Sequence, residues 1–127
     1  MEVHGTRDQV YIALTEPLEV DAVAAATNYY IGIHNRNTFG LGLIGKRRLF
    51  KLAEKTLHHG AFSRNELPLE LNLNETKLAV KALTKVNELI QKAPEPRIIP
   101  FSPTLETVIN ECVDTYRQQT ALLESNR

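Results

Sequence analysis

Three observations predict a mainly α-helical, single-domain fold: a length of 127 residues with an ordinary globular composition, apolar residues at helical spacing over most of the chain, and prolines and polar caps that punctuate those stretches. Hydrophobic residues make up 43% and charged residues 24%, enough for one core and too balanced for a disordered or low-complexity chain. The expected architecture is a small helical bundle of four or five helices, spanning 1–127 as one domain, with one or two short strands.

Gln9 to Leu14, rich in β-branched and aromatic residues, predicts a short strand. Thr15-Glu16-Pro17 then places proline where a helix begins, and Val20, Val23, Ala24, Thr27 and Tyr30 share one face of a helix ending near Tyr30. The four glycines and the polar run between Gly32 and Gly45 predict a loop. A second helix is expected from Lys46 to about His59, with Leu49, Phe50, Ala53 and Leu57 inward and Gly60 as a left-handed terminator. From Asn74, as N-cap, to about Lys92, the residues Leu78, Ala82, Val86, Leu89 and Ile90 repeat at helical spacing with lysines opposite. Ala93-Pro94-Glu95-Pro96 breaks that helix. Ser102-Pro103 opens an amphipathic C-terminal helix over 103–124, striped by Leu105, Val108, Ile109, Cys112, Val113, Tyr116 and Leu123, a stripe that suits a core or a partner helix.

Charge is balanced in total, 15 basic against 15 acidic residues, but unevenly placed. Residues 45–92, the basic helical centre, hold ten basic side chains and five acidic ones, while 1–44 and 93–127 are each net acidic. A basic centre between acidic ends fits a surface that faces a polyanion, and it also fits a solvated helix face. No apolar run approaches the length of a membrane-spanning helix, and MEVHGTRDQV lacks a signal peptide's apolar stretch. With a single cysteine, Cys112, a cytoplasmic location is expected, with the thiol acting as a small buried hydrophobe. Asn74-Glu75-Thr76 matches a glycosylation sequon by chance on that view.

The segment Ala61 to Asn74 admits two readings. In one, Ser63 and Glu66 form a capping box, 63–71 is a short helix, Asn72 turns left-handed and Asn74 caps the next helix. In the other, Leu67, Leu69, Leu71 and Leu73 alternate with Pro68, Glu70, Asn72 and Asn74 as a half-buried edge strand able to pair with Gln9 to Leu14. Pro68 opposes the helical reading, since a proline inside a helix lacks the donating amide. On the first reading, FSRNELPLELNLNETKLAVKAL over 62–83 resembles the two-helix core of helix-turn-helix DNA-binding domains, with Leu67, Asn72, Leu73, Asn74 and Leu78 at the pattern's apolar, turn and cap places.

That resemblance implies a small transcriptional regulator whose second helix enters the major groove of duplex DNA, with Thr76, Lys77, Lys81 and Lys85 facing the nucleic acid. Arg64, Lys46, Arg47, Arg48 and Lys51 would meet phosphates, and the last helix would mediate self-association. The alternative is a small helical subunit of a larger nucleoprotein or phage-type assembly, touching nucleic-acid backbone without reading sequence.

Gly40-Leu41-Gly42-Leu43-Ile44-Gly45 spells the GxGxxG of a dinucleotide-binding turn, but no apolar strand runs into it. His58 and His59 are adjacent and point apart on a helix, so they do not form an i, i+4 metal pair, and His58 suits a helix C-terminus. No nucleophile–base or paired-carboxylate spacing is evident. The sequence therefore leads to expectations of no enzyme activity, no cofactor and no bound metal.

Overall fold

A computed structural model describes residues 1–6, 8–34, 42–92 and 101–125. The fold is mainly α, with β1 (Glu2–Gly5), β2 (Val10–Leu14), α1 (Pro17–His34), α2 (Gly42–Phe62), β3 (Leu69–Glu70), α3 (Leu73–Lys92) and α4 (Pro103–Ser125). The three strands form one antiparallel sheet in the order β1-β2-β3.

Strand β2 forms where the β-branched run predicted it. It pairs with β1, which alternation did not single out, through a turn closed by Thr6 N–H to Gln9 O at 3.1 Å and Gln9 N–H to Thr6 O at 3.2 Å. Gly5 enters that turn at φ 109°, where a Cβ would lie 2.0 Å from the Gln9 carbonyl oxygen, so only glycine fits. The opposite edge of β2 takes β3, with Ala13 opposite Glu70 and Leu14 opposite Leu69.

Helix α1 is the centre of the bundle, packed against α2, α3 and α4. Val20, Ala22, Val23, Ala24, Ala26, Thr27 and Tyr30 are buried, which covers far more than one stripe; the alanines let neighbouring helices approach closely. Burying Thr27 leaves no hydroxyl unpaired, because it donates to the Val23 carbonyl at 2.7 Å. The helix start is held by Glu19, whose carboxylate accepts from the Thr15 and Glu16 amides at 2.9 and 3.1 Å and also from the Met1 ammonium. Burial alone would push the Glu19 carboxyl up, but these hydrogen bonds outweigh it and hold its pKa below the ordinary carboxylate value.

Several local expectations are corrected. The glycine-rich stretch is not a loop throughout: Gly32 belongs to α1 and Gly42–Gly45 open α2, while 35–41 lie outside the described residues. Gly60 does not terminate α2; the helix continues to Phe62 and Gly60 has no positive φ. The inward face of α2 is Leu49, Leu52, Ala53 and Thr56, whereas Phe50 and Leu57 point outward. Thr56 takes the inward place because its hydroxyl donates to the Leu52 carbonyl at 3.0 Å, leaving nothing unpaired.

The helix at 63–71 is absent. Ser63 accepts the Glu66 amide in a turn, the Leu67–Pro68 peptide is cis, and the chain then runs extended into β3. Residues 62–83 thus supply the end of α2, a turn, a strand and one helix, in place of the two helices that the helix-turn-helix resemblance implied. The physical reason is the one that alternation announced: Leu67, Leu69 and Leu71 all turn toward the core cluster, and Pro68, which has no amide to donate, sits where no ladder bond is needed. Asn72 is the N-cap of α3 in place of Asn74, and it is not left-handed: its Oδ1 accepts the Glu75 amide at 2.8 Å while Glu75 Oε1 accepts the Asn72 amide at 2.9 Å.

The C-terminal helix begins as expected, with Ser102 Oγ accepting the Leu105 amide at 3.2 Å ahead of Pro103. Its apolar stripe serves the chain's own core: Ile109, Cys112 and Val113 are buried, and Leu105, Val108 and Tyr116 pack against them. Gln119 reaches β1, accepting the Val3 amide at 2.7 Å. No described helix is long and apolar enough to cross a membrane.

Candidate nucleic-acid interface

The bundle sorts charge by helix. Helix α2 carries Lys46, Arg47, Arg48, Lys51 and Lys55 against the single carboxylate Glu54, and α3 carries four lysines against Glu75 and Glu88. Helices α1 and α4 are net acidic, with Glu19 and Asp21 on one and Glu106, Glu111, Asp114 and Glu124 against Arg117 on the other. Helix α1 lies between α2 and α4, while α3 packs against both α1 and α4, so the net-basic character belongs to the outer faces of α2 and α3 and not to a separate half of the molecule.

Arg47, Arg48 and Lys51 are exposed and Lys46 is half-buried, all in the N-terminal half of α2. Lys77, Lys81 and Lys85 follow at every fourth position and are exposed, the middle of α3's solvent face, opposite buried Ala79, Ala82, Leu83 and Val86. None of these seven forms a salt bridge among the described residues, where the basic side chains that do are His4 with Glu2, Lys55 with Glu75 and Arg64 with Asp21. The Lys55 ammonium contacts both Glu75 oxygens at 3.0 Å and so ties α2 to the first turn of α3.

Two expected contact residues are not in this set. Thr76 is buried, 1% exposed, and faces β2: its Oγ accepts the Ile12 amide at 3.1 Å and donates to the Leu71 carbonyl at 3.4 Å. It cannot reach a base edge while the fold is intact. Arg64 makes a two-pronged pair with Asp21 of α1 at 2.9 and 3.0 Å, and that partner raises the guanidinium pKa further. Its charge is already engaged in joining the turn after α2 to α1.

The sequence reasoning missed the outward apolar residues of the basic helix. Ile44, Phe50, Leu57 and Phe62 are 67, 50, 52 and 78% exposed. The Phe62 ring lies 4.8 Å from the His58 imidazole, tilted by 42°. Beside this face an open groove of about 460 Å³ runs between α2 and the following turn, walled by Lys51, Glu54, Lys55, His58, His59, Ser63 and Leu69. The signal that could have found them is that Phe50 and Leu57 stand seven residues apart on a line that excludes Leu52 and Thr56.

Nothing in the described residues assembles a reaction centre from the sequence's other candidates. Among the described residues, no three or more His, Cys, Asp or Glu side chains gather in a way that could hold a metal ion. Of the GxGxxG segment, Gly42–Gly45 open α2, while Gly40 and Leu41 and the residues leading into them from 35 onward lie outside the described residues. Burial, reinforced by the Glu19 charge, pushes the Cys112 thiol up to about 12, far from nucleophilic at neutral pH. No family model, curated protein or solved structure matches the chain.

Proposed function

We propose that this protein binds nucleic acid through the outer faces of α2 and α3, gripping the sugar-phosphate backbone without groove readout, as a small subunit of a larger nucleoprotein assembly in the cytoplasm. The observation that carries the reading is the segregation of charge: a molecule with no net charge exposes Arg47, Arg48, Lys51, Lys77, Lys81 and Lys85 on two helices and leaves them without carboxylate partners among the described residues. Exposed cations with no salt-bridge partner among the described residues suit a polyanion, because each neutralised phosphate releases condensed counterions. A groove-reading version would require a helix over 63–71 and Thr76 at a base edge; β3 and the burial of Thr76 support neither.

Anisotropy titrations with labelled duplex DNA, single-stranded DNA and RNA at several salt concentrations test this. Log affinity should fall linearly with log salt, and Arg47→Ala with Arg48→Ala should lower that slope by about 0.7 to 0.9 for each phosphate no longer neutralised, for every sequence alike. Absence of binding to all three at low salt would remove the proposal. Selection of one enriched sequence from random duplexes would restore a sequence-reading role.

A further inference from the structure

Helix α2 turns aromatic rings outward on the same face as its cations. At about 100° per residue, Phe50 and Leu57 lie along one flank, Ile44, Lys51, Lys55 and Phe62 along the other, and Glu54, Arg47 and His58 between them, so the face carries one carboxylate among its basic groups. The core is served from the opposite side by Leu49, Leu52, Ala53 and Thr56, and the outer rings of Phe50 and Phe62 stand half or more in solvent. A stripe meant for another helix would be continuous and apolar. Here polar groups stand within one turn of each ring: Arg47, Lys51 and Glu54 surround Phe50, and the His58 imidazole lies beside Phe62, with most of that ring still in water. A second copy of this face would set Arg47 and Lys51 against their like.

Flat apolar rings interleaved with cations complement a chain of flat bases interleaved with phosphates, provided the bases are unpaired and free to stack. A duplex keeps its bases stacked on each other and would leave Phe50 and Phe62 without partners. The adjoining open groove of about 460 Å³ has Lys51, Lys55, His58 and Glu54 among its walls. We propose that α2 binds single-stranded nucleic acid, with Phe50 and Phe62 as stacking platforms for bases and Arg47, Arg48 and Lys51 on the intervening phosphates. This rests on the nucleic-acid reading above and narrows it to one strand state.

The chain contains no tryptophan, so Phe50→Trp and Phe62→Trp each install a lone indole that keeps a ring at the proposed platform and reports stacking by loss of emission. The probes are single-stranded RNA, single-stranded DNA, their duplexes and an abasic oligonucleotide of equal length, which has the phosphates and lacks the bases. Either single strand should quench the indole and the abasic strand should not, with the stronger of the two naming the sugar. Phe50→Ala and Phe62→Ala should each weaken single-strand binding by roughly tenfold and leave both the salt slope and the circular dichroism unchanged. Equal affinity for single strand, duplex and abasic strand, untouched by the alanine variants, would overturn stacking while backbone binding survives. Failure to bind any of them would overturn both readings. Indole emission that changes with protein concentration alone would show the face meeting another copy, and would also overturn the proposal.

Discussion

Thr76 shows how one hydroxyl can decide between two accounts of a surface. As an exposed first-turn residue it would be a natural base contact; buried, it joins α3 to the sheet by taking the Ile12 amide and giving its proton to the Leu71 carbonyl. Replacing it by valine keeps the shape and strands the Ile12 amide in the core, which costs roughly 1 to 3 kcal/mol. We expect Thr76→Val to lower the unfolding free energy by that amount in urea titrations and Thr76→Ser to keep most of it. Valine without effect would mean that the Ile12 amide finds another acceptor. Glu19 does comparable work at the start of α1, gathering two amides and an ammonium on one carboxylate.

At the scale of elements, Gly60 offers a sharp comparison. A left-handed terminator would make alanine costly there, yet the residue sits within α2 with an ordinary φ, and an added Cβ would meet only the Asp21 carboxylate at 3.4 Å. Gly60→Ala should therefore raise stability by about 0.5 to 1 kcal/mol, measured by thermal unfolding, where a terminating glycine would show a loss. The long helices were legible because their stripes and caps are local signals: Pro17, Ser102-Pro103 and the lysine face of α3 each announce themselves within one or two turns. Strand β3 was half legible, since four alternating leucines and Pro68 competed with a capping-box spelling, and what settles the contest is pairing with β2 more than fifty residues earlier in the chain. Strand β1 and the inward Thr56 were hidden for the same reason: hairpin partnership and internal hydroxyl bonding are not visible in a hydrophobicity pattern. The proposed interface was legible in its cations and illegible in its rings, because Phe50 and Leu57 look like core residues until the neighbours of Leu52 are known.

For the whole molecule, the central position of α1 sets both stability and the distribution of charge. Its nearly all-round burial means that α2, α3 and α4 share one core, while their outer faces remain free to differ. The chain closes on itself over long distances: the Val3 amide meets Gln119, and Ile12 meets both Leu71 and Thr76. Contacts of such wide sequence separation favour unfolding in one step and slow the search that forms them.

Cys112 turns that architecture into something measurable by chemistry alone. Disulfide reagents are attacked by the thiolate, which displaces the aromatic thiolate, and Cys112, 2% exposed with its pKa pushed up to about 12, offers almost no thiolate while α4 stays seated. The chain's one thiol thus works as a built-in gauge: the rate at which an aromatic disulfide labels it reports the fraction of molecules in which α4 has lifted from α1 and α3. In water the labelling should be slow and track the urea-determined unfolding free energy; in high urea it should reach the speed of a free peptide thiol. Rapid labelling in water with the circular dichroism intact would reveal instead that the last helix opens by itself, a door on an otherwise closed house.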